Sequence, residues 1–194
     1  MLPKVSALVL AAGLSKRMGQ LKQLLPIKNK PAILHCIDTI IFSGIDEIIA
    51  VVRDDSEALI KLLNGLPLRI VFNRNVESEM AESVRIGLHA TDASSTGVMV
   101  CPSDHPLVTA ETYKILLQAH GQEAGRILIP CFNGRKGHPV LFPKDVIQAV
   151  FSGMNLREVM NANGQKVRLV QVMDEGVLFD MDTREDYENI LKRI

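Results

Sequence analysis

Short apolar runs alternate with amphipathic stretches along the first 120 residues. The runs at 5–10 (VSALVL), 47–52 (EIIAVV), 68–72 (LRIVF) and 97–101 (GVMVC) have the length and β-branched content of buried strands. Between the first two, Ile33, Leu34, Ile37, Ile40 and Ile41 recur at helical spacing, with Pro31 where a first helical turn tolerates it. Residues 56–63 and about 81–90 read as further helices. Another runs to about His120, with Thr109 as its cap and Glu111 in its first turn. Strands and helices in this order predict a parallel sheet wrapped by helices, with ligands at the C-terminal ends of the strands.

The second half is less regular. Residues 126–130 and 139–142 read as strands around the turn from Gly134 to Gly137, followed by short helices near 144–151 and 156–161. Residues 166–172 and 177–179 read as late strands. Thr183 with Asp186 signals the cap of a last helix through Leu191. The expected class is α/β: a Rossmann-like, three-layer α/β/α arrangement whose mostly parallel sheet carries late antiparallel additions. The 194 residues show no repeat or linker and read as a single domain, 1–194.

Composition narrows the function classes. Hydrophobic residues make up 47% of the chain, enough for one large core, and 22 cations balance 22 anions. No overall field draws the chain to nucleic acid or a membrane surface, so any anion must be caught by local geometry. The apolar runs fall far short of the ~20 residues of a membrane span, and the N-terminus enters a strand without a signal-peptide pattern. Cys36, Cys101 and Cys131 are scattered, with no C-x-x-C, and read as small buried residues in a reducing, cytoplasmic setting.

Candidate chemistry begins where the first strand ends. The following loop holds Gly13 and Gly19 with the cations Lys16, Arg17 and Lys22. Small residues let backbone N–H groups approach an anion, and cations neutralise it. Neither G-x-x-x-x-G-K-[ST] nor G-x-G-x-x-G is present. Asp104 follows another apolar strand, in a turn stiffened by Pro102 and Pro106, a placement suited to holding Mg²⁺ beside substrate phosphates. It equally suits a turn cap. Asp180 and Asp182, at i and i+2, would share a side if the chain is extended there.

Leu10 to Pro26 fits, at every defined position, the signature L-A-[AG]-G-x-S-x-R-[ML]-G-x-x-K-x-L-[LA]-P of the MobA-like, GT-A-type nucleotidyltransferases. Four later segments resemble the same family. Asn73, Met80, Ser83 and Gly87 keep the register of its base- and sugar-bordering segment, although Arg74, Glu79 and Glu82 depart from it. Pro102 to Val108 is similar to x-x-D-x-P-L-V, with His105 in place of Gln or Met. Asp180 to Tyr187 is similar to D-[IV]-[DN]-T-P-E-[DE], with Arg184 for Pro. Gly134 to Phe142 matches G-x-x-G-H-P-V-L-F, the run that sets the molybdenum cofactor cytidylyltransferase branch apart.

The resemblance implies the GT-A-like fold and a set of roles. Leu10, Ala11, Ala12, Gly13, Ser15, Arg17, Lys22, Asn73 and Ser83 would bind nucleotide, with Arg17, Lys22 and Asp104 in the catalytic set. Asp104 and one acid of the later pair, Asp182 in preference to Asp180, would hold Mg²⁺. His105, Gly137, His138 and Pro139 would meet the acceptor; His138 reads equally well as a histidine holding its turn. The implied reaction is transfer of CMP from CTP to the phosphate of molybdopterin cofactor with release of pyrophosphate. Ala11-Ala12-Gly13 points to the cytidylyl branch, and a molybdenum hydroxylase would receive the product. Neither nucleic acid nor membrane is an expected partner. Rivals are the same chemistry on a sugar or polyol phosphate and a non-catalytic nucleotide or cofactor binder. A dinucleotide oxidoreductase is disfavoured because the first turn lacks G-x-G-x-x-G.

Overall fold

The computed structural model describes residues 4–15, 17–75 and 79–194. Lys16, one of the three loop cations, and residues 76–78 of the Asn73–Gly87 segment lie outside the described residues. In chain order the elements are β1 (Val5–Leu10), a small hairpin of β2 (Pro26–Ile27) and β3 (Lys30–Pro31), α1 (Ala32–Phe42), β4 (Glu47–Arg53), α2 (Glu57–Leu63), β5 (Arg69–Asn73), α3 (Met80–His89) and β6 (Gly97–Pro102). Then come α4 (Ala110–Gln122), β7 (Ile127–Phe132), β8 (Arg135–Lys136), β9 (Val140–Pro143), α5 (Lys144–Ile147), α6 (Leu156–Ala162), β10 (Val167–Gln171) and α7 (Arg184–Leu191).

The main sheet runs β10-β7-β9-β6-β1-β4-β5, with β8 hanging from β7. β1 is parallel to both β4 and β6, and β5 is parallel to β4. The antiparallel additions are β8, paired with β7, and β9, inserted between β6 and β7 and antiparallel to both; β10 is parallel to β7. Alternation along β1 shows why three layers form. Ala7 and Val9 pack with Ile37, Ile40, Leu59 and Leu116 on the face covered by α1, α2 and α4. Leu8 packs with Val84, Leu88, Ile147 and Val159 on the face covered by α3, α5 and α6. Successive strand residues point to opposite faces, so a continuously apolar strand must be buried on both. Gly87 lets α3 approach that second face: a β-carbon there would sit 3.1 Å from Leu8 and Val51 side-chain atoms.

Two local expectations change. Residues 177–179 are not a strand; Glu175–Leu178 is a short 3-10 turn. Thr109 occupies the N-cap position of α4 but caps nothing with its own side chain. Its N–H and hydroxyl both donate to Asp174, which also accepts from Thr112 Oγ1 and Gly176 N. Among the described residues, no helix is long and apolar enough to cross a membrane.

A third, smaller apolar cluster matters most for the site. Leu25, Ile27 and Ala32 pack against Met181 and Ile190, joined by Met18 and Tyr187. It clamps the segment carrying Asp182 onto the loop carrying Lys22. Tyr187 Oη donates to the Pro26 carbonyl at 2.5 Å. The Thr183–Asp186 capping box starts α7 immediately beyond Asp182.

Candidate active site

A cavity of about 370 Å³ opens at the C-terminal ends of β1 and β6, the position a parallel sheet makes available to ligands. Leu10, Ala12 and Gly13 line it from β1 and the loop that follows, together with Arg17, Lys22 and Gln23. The turn after β6 contributes Asp104 and His105; α3 contributes Met80 and Ser83; His138, Asp180 and Asp182 complete the wall. A β-carbon on Gly13 would meet nothing within 4 Å, so this glycine faces open cavity, where backbone can come close to a ligand. Gly19 has a positive φ of 66°, and Ser15, although not glycine, lies at φ 48°. Ser15 Oγ accepts from the backbone N–H of Lys22 at 3.2 Å, closing the loop on itself.

The centre of the site is a charge cluster. Lys22 Nζ lies 2.5 Å from Asp104 Oδ2 and 2.7 Å from Asp182 Oδ1. Arg17 Nη2 lies 2.6 Å from Asp182 Oδ2, and His105 Nδ1 lies 2.8 Å from Asp104 Oδ1. Backbone contacts bring these segments together. Met181 N donates to the Asp104 carbonyl at 3.0 Å, and Ser103 Oγ donates to the Leu10 carbonyl at 2.8 Å. Burial opposes the charge on Lys22, but Asp104 and Asp182 outweigh it and raise its pKa above the ordinary lysine value. Asp104 is also penalised by burial, yet His105 and Lys22 hold it well below the usual carboxylate range. Asp182 is likewise lowered, chiefly by Lys22 acting against burial. Asp180 goes the other way: burial and the neighbouring Asp182 raise it. The two later acids are thereby separated. Asp182 is ionised and paired in the cluster, whereas Asp180 only borders it.

Two ionised carboxylates converging on one point are a hard-oxygen donor pair. Magnesium is commonly held by one or two carboxylates, with phosphates and water filling its other positions. Among the described residues no group of three or more His, Cys, Asp or Glu forms a metal cage; Asp104 and Asp182 are the carboxylates that meet at Lys22, with Asp180 beside them in the cavity wall. They fit a divalent cation that arrives with phosphates.

The remaining expected residues sit around this centre. Ala11 is buried, and its N–H is committed to the Val51 carbonyl at 2.9 Å. Asn73 lies behind the cavity wall, its Nδ2 donating to Ser83 Oγ at 2.9 Å. Arg74 and Glu82 face a different cleft along β5, so these departures from the resembled segment lie away from the acid cluster. Gly137 is buried under the 3-10 turn: a β-carbon there would collide with the Val177 carbonyl. His138 N–H donates to that carbonyl at 3.0 Å, and the His138–Pro139 peptide is cis. The His138 ring packs edge-on to His105 with centroids 4.9 Å apart. Burial, with some help from His105, lowers its pKa to about 4.

His138 also borders a second cleft of about 650 Å³, floored by Ile129, Val140 and Val167, with Lys136 and Arg157 in its lining. Arg135, the other cation of that turn, lies outside it. Sequence reasoning did not single out Gln23 or Arg157. Gln23 is polar yet only 1% exposed; its one signal in the sequence is its place beside Lys22 inside the Leu10–Pro26 segment. Arg157 carried none, because α6 reaches the site only through the tertiary fold.

Comparison with known proteins agrees with this fold. Residues 7–167 match the MobA-like NTP transferase domain. The chain is 28% identical to nicotine blue oxidoreductase of Paenarthrobacter nicotinovorans, covering 98% of each chain. It is 31% identical to a probable molybdenum cofactor guanylyltransferase of Methanosarcina mazei, over 81% of this chain and 67% of that one. Among solved structures, Rv0371c of Mycobacterium tuberculosis superimposes with a TM-score of 0.87 at 26% identity over 99% of both chains. A manganese complex of that protein gives 0.82 at 24% identity, covering 98% of this chain and all of the other. With the mostly parallel sheet and the cavity at its strand ends, the match over residues 7–167 establishes that this chain belongs to the MobA-like NTP transferase family, a family of nucleotidyltransferases.

Proposed function

We propose that this chain transfers CMP from CTP to the terminal phosphate of molybdopterin cofactor and releases pyrophosphate. Residues 1–194 would serve as one nucleotidyltransferase domain. The observation that carries the reading is the convergence of Lys22, Arg17, Asp104 and Asp182 at the mouth of the Gly13 loop. The chemistry is an in-line attack of an acceptor phosphate oxygen on the α-phosphorus. The new P–O bond forms as the bond to the β-phosphate breaks, and pyrophosphate leaves with the electron pair. An acceptor phosphate is already ionised at neutral pH, so this attack requires no general base. What the protein supplies is position and charge.

In this reading Leu10, Ala12 and Gly13 line the nucleotide's place. Ser15 and Asn73 act one step back, through Lys22 and Ser83. Lys22 and Arg17 neutralise the phosphates and the departing pyrophosphate. Asp104 and Asp182 hold Mg²⁺, which when bound supplies positive charge to the phosphate oxygens. His105 orients Asp104, and Gly137, His138 and Pro139 shape the passage into the second cleft. That cleft would take the acceptor body, with Lys136 and Arg157 facing its anionic groups. The choice of cytidine rests on Ala11-Ala12-Gly13 and on the Gly134–Phe142 run. The likeness to a guanylyltransferase supports the same acceptor with another base.

The test is pyrophosphate release from CTP, GTP and ATP with Mg²⁺, with and without molybdopterin cofactor. Release that requires the pterin and favours CTP is the expected result. Pterin-dependent release with GTP corrects the base alone. Absence of pterin-dependent release with any nucleotide overturns the acceptor, and sugar and polyol phosphates are then the substrates to screen. A second reading draws on the likeness to nicotine blue oxidoreductase across the full chain: the same cavity would hold a nucleotide reductant. Oxidation of NADH or NADPH coupled to a dye acceptor, without pyrophosphate release, would favour it.

A further inference from the structure

The four oxygens of the two central carboxylates are all engaged. Asp104 presents one to Lys22 and the other to His105; Asp182 presents one to Lys22 and the other to Arg17. Lys22 is the shared partner. Its side chain is only 12% exposed, against 69% for Arg17. The ammonium therefore stands where a cation bridging the two carboxylates would stand. A divalent ion entering with Lys22 in place would meet neutralised acids and a buried like charge beside them.

We propose that Lys22 occupies the metal position until a triphosphate draws its ammonium away, so that metal and nucleotide enter together and the free ion is kept out. This rests on the assignment of Asp104 and Asp182 as the metal ligands in the proposed function. The triphosphate accounts for the charge. The ammonium would leave two carboxylates for phosphate oxygens, and Asp104 and Asp182 would then be free to hold a divalent ion whose additional charge is met by the phosphates it enters with. The side chain can make that move without unfolding the loop, because the Lys22 backbone is fixed separately: its N–H is held by Ser15 Oγ, and its carbonyl accepts from Leu25 N. The space beside Gly13 is open to receive the phosphates. Lys22 is then a gate on the order of binding, in addition to a phosphate partner.

The experiment measures binding of Mn²⁺ alone, by loss of the free-ion paramagnetic resonance signal, with no nucleotide present. Wild type is compared with Lys22→Ala, Lys22→Met and Arg17→Ala. Removing the ammonium is expected to tighten free Mn²⁺ binding by at least about tenfold, within the usual range of coupling between sites. Arg17→Ala, which leaves Lys22 in place, is expected to change it far less. Circular dichroism verifies folding, and Lys22→Met, which retains an unbranched apolar stem, carries the test if the alanine variant does not fold. Equal or weaker Mn²⁺ binding in the Lys22 variants overturns the proposal. So does an equal gain in Arg17→Ala, which would reduce the effect to general charge. Because no transfer is measured, failure of CMP transfer would leave this result standing, and failure here would leave the transfer assay untouched.

Discussion

At the scale of single residues, the two central acids are unequal in their surroundings. Asp104 is held by a lysine and a histidine in a mostly buried turn; Asp182 is more exposed and shares its second oxygen with a solvent-facing arginine. Asp104→Asn keeps the shape and a hydrogen-bond acceptor but removes the charge. It is expected to lower kcat on the order of 10²–10³-fold, the scale of losing one preorganised electrostatic contact. Folding, read by circular dichroism, is expected to be retained; unchanged turnover would remove Asp104 from the mechanism. Asp104 was legible in the sequence through the resembled x-x-D-x-P-L-V segment, because an acid after an apolar strand taken alone equally suits a turn cap. Its partners Lys22 and Asp182 came from the resemblance alone, since they lie 82 and 78 residues away along the chain and only tertiary packing joins them. Gly137 was visible as one end of the Gly134–Gly137 turn, but its packing against Val177 was not. It is the one residue type that fits beneath the Val177 carbonyl.

At the scale of elements, the first helix–strand repeats were readable because each strand is apolar on both faces and each helix on one. The run at 177–179 misled for the same reason: three apolar residues are too few to show a period. Burial of Val177 over Gly137, not pairing in the sheet, is what they serve. The insertion of β9 between β6 and β7 could not be read either, because strand partners are a long-range property. The start of α7 was readable from Thr183 and Asp186, and it bears directly on the site. Thr183→Ala removes one half of a capping box and is expected to destabilise the protein by about 1 kcal/mol, measured by denaturant unfolding. Since Asp182 immediately precedes the cap, the same variant is expected to raise the Mg²⁺ concentration needed for half-maximal transfer. A stability loss with unchanged metal dependence would separate α7 from the site.

At the scale of the whole molecule, acid stability follows from two histidines held neutral by burial. His120 lies fully buried under Gly97, with Nε2 3.1 Å from Thr96 Oγ1, and burial lowers its pKa. His138 is lowered from 6.5 to about 4. For such groups the unfolded chain takes up protons first. Both contributions are complete above about 6.5; that of His138 drains away as the pH falls toward 4. The depressed carboxylates Asp104 and Asp182 act in the same direction but only at lower pH, below the ordinary value of 3.8. The urea midpoint is therefore expected to fall between pH 6.5 and 4, with His120→Gln flattening the decline; a midpoint constant over that window would contradict the burial argument.

The clamp formed by Leu25, Ile27, Met181, Ile190 and Tyr187 has a consequence for how the molecule is made. During synthesis, the loop with Lys22 emerges before most of the sheet, and the segment with Asp182 only after the last described strand, β10. Every sheet strand can pair before the second carboxylate leaves the ribosome. A nascent chain would then own a folded scaffold and a basic loop but no acid pair, and on the proposed assignment could not hold metal and nucleotide together until the clamp closed.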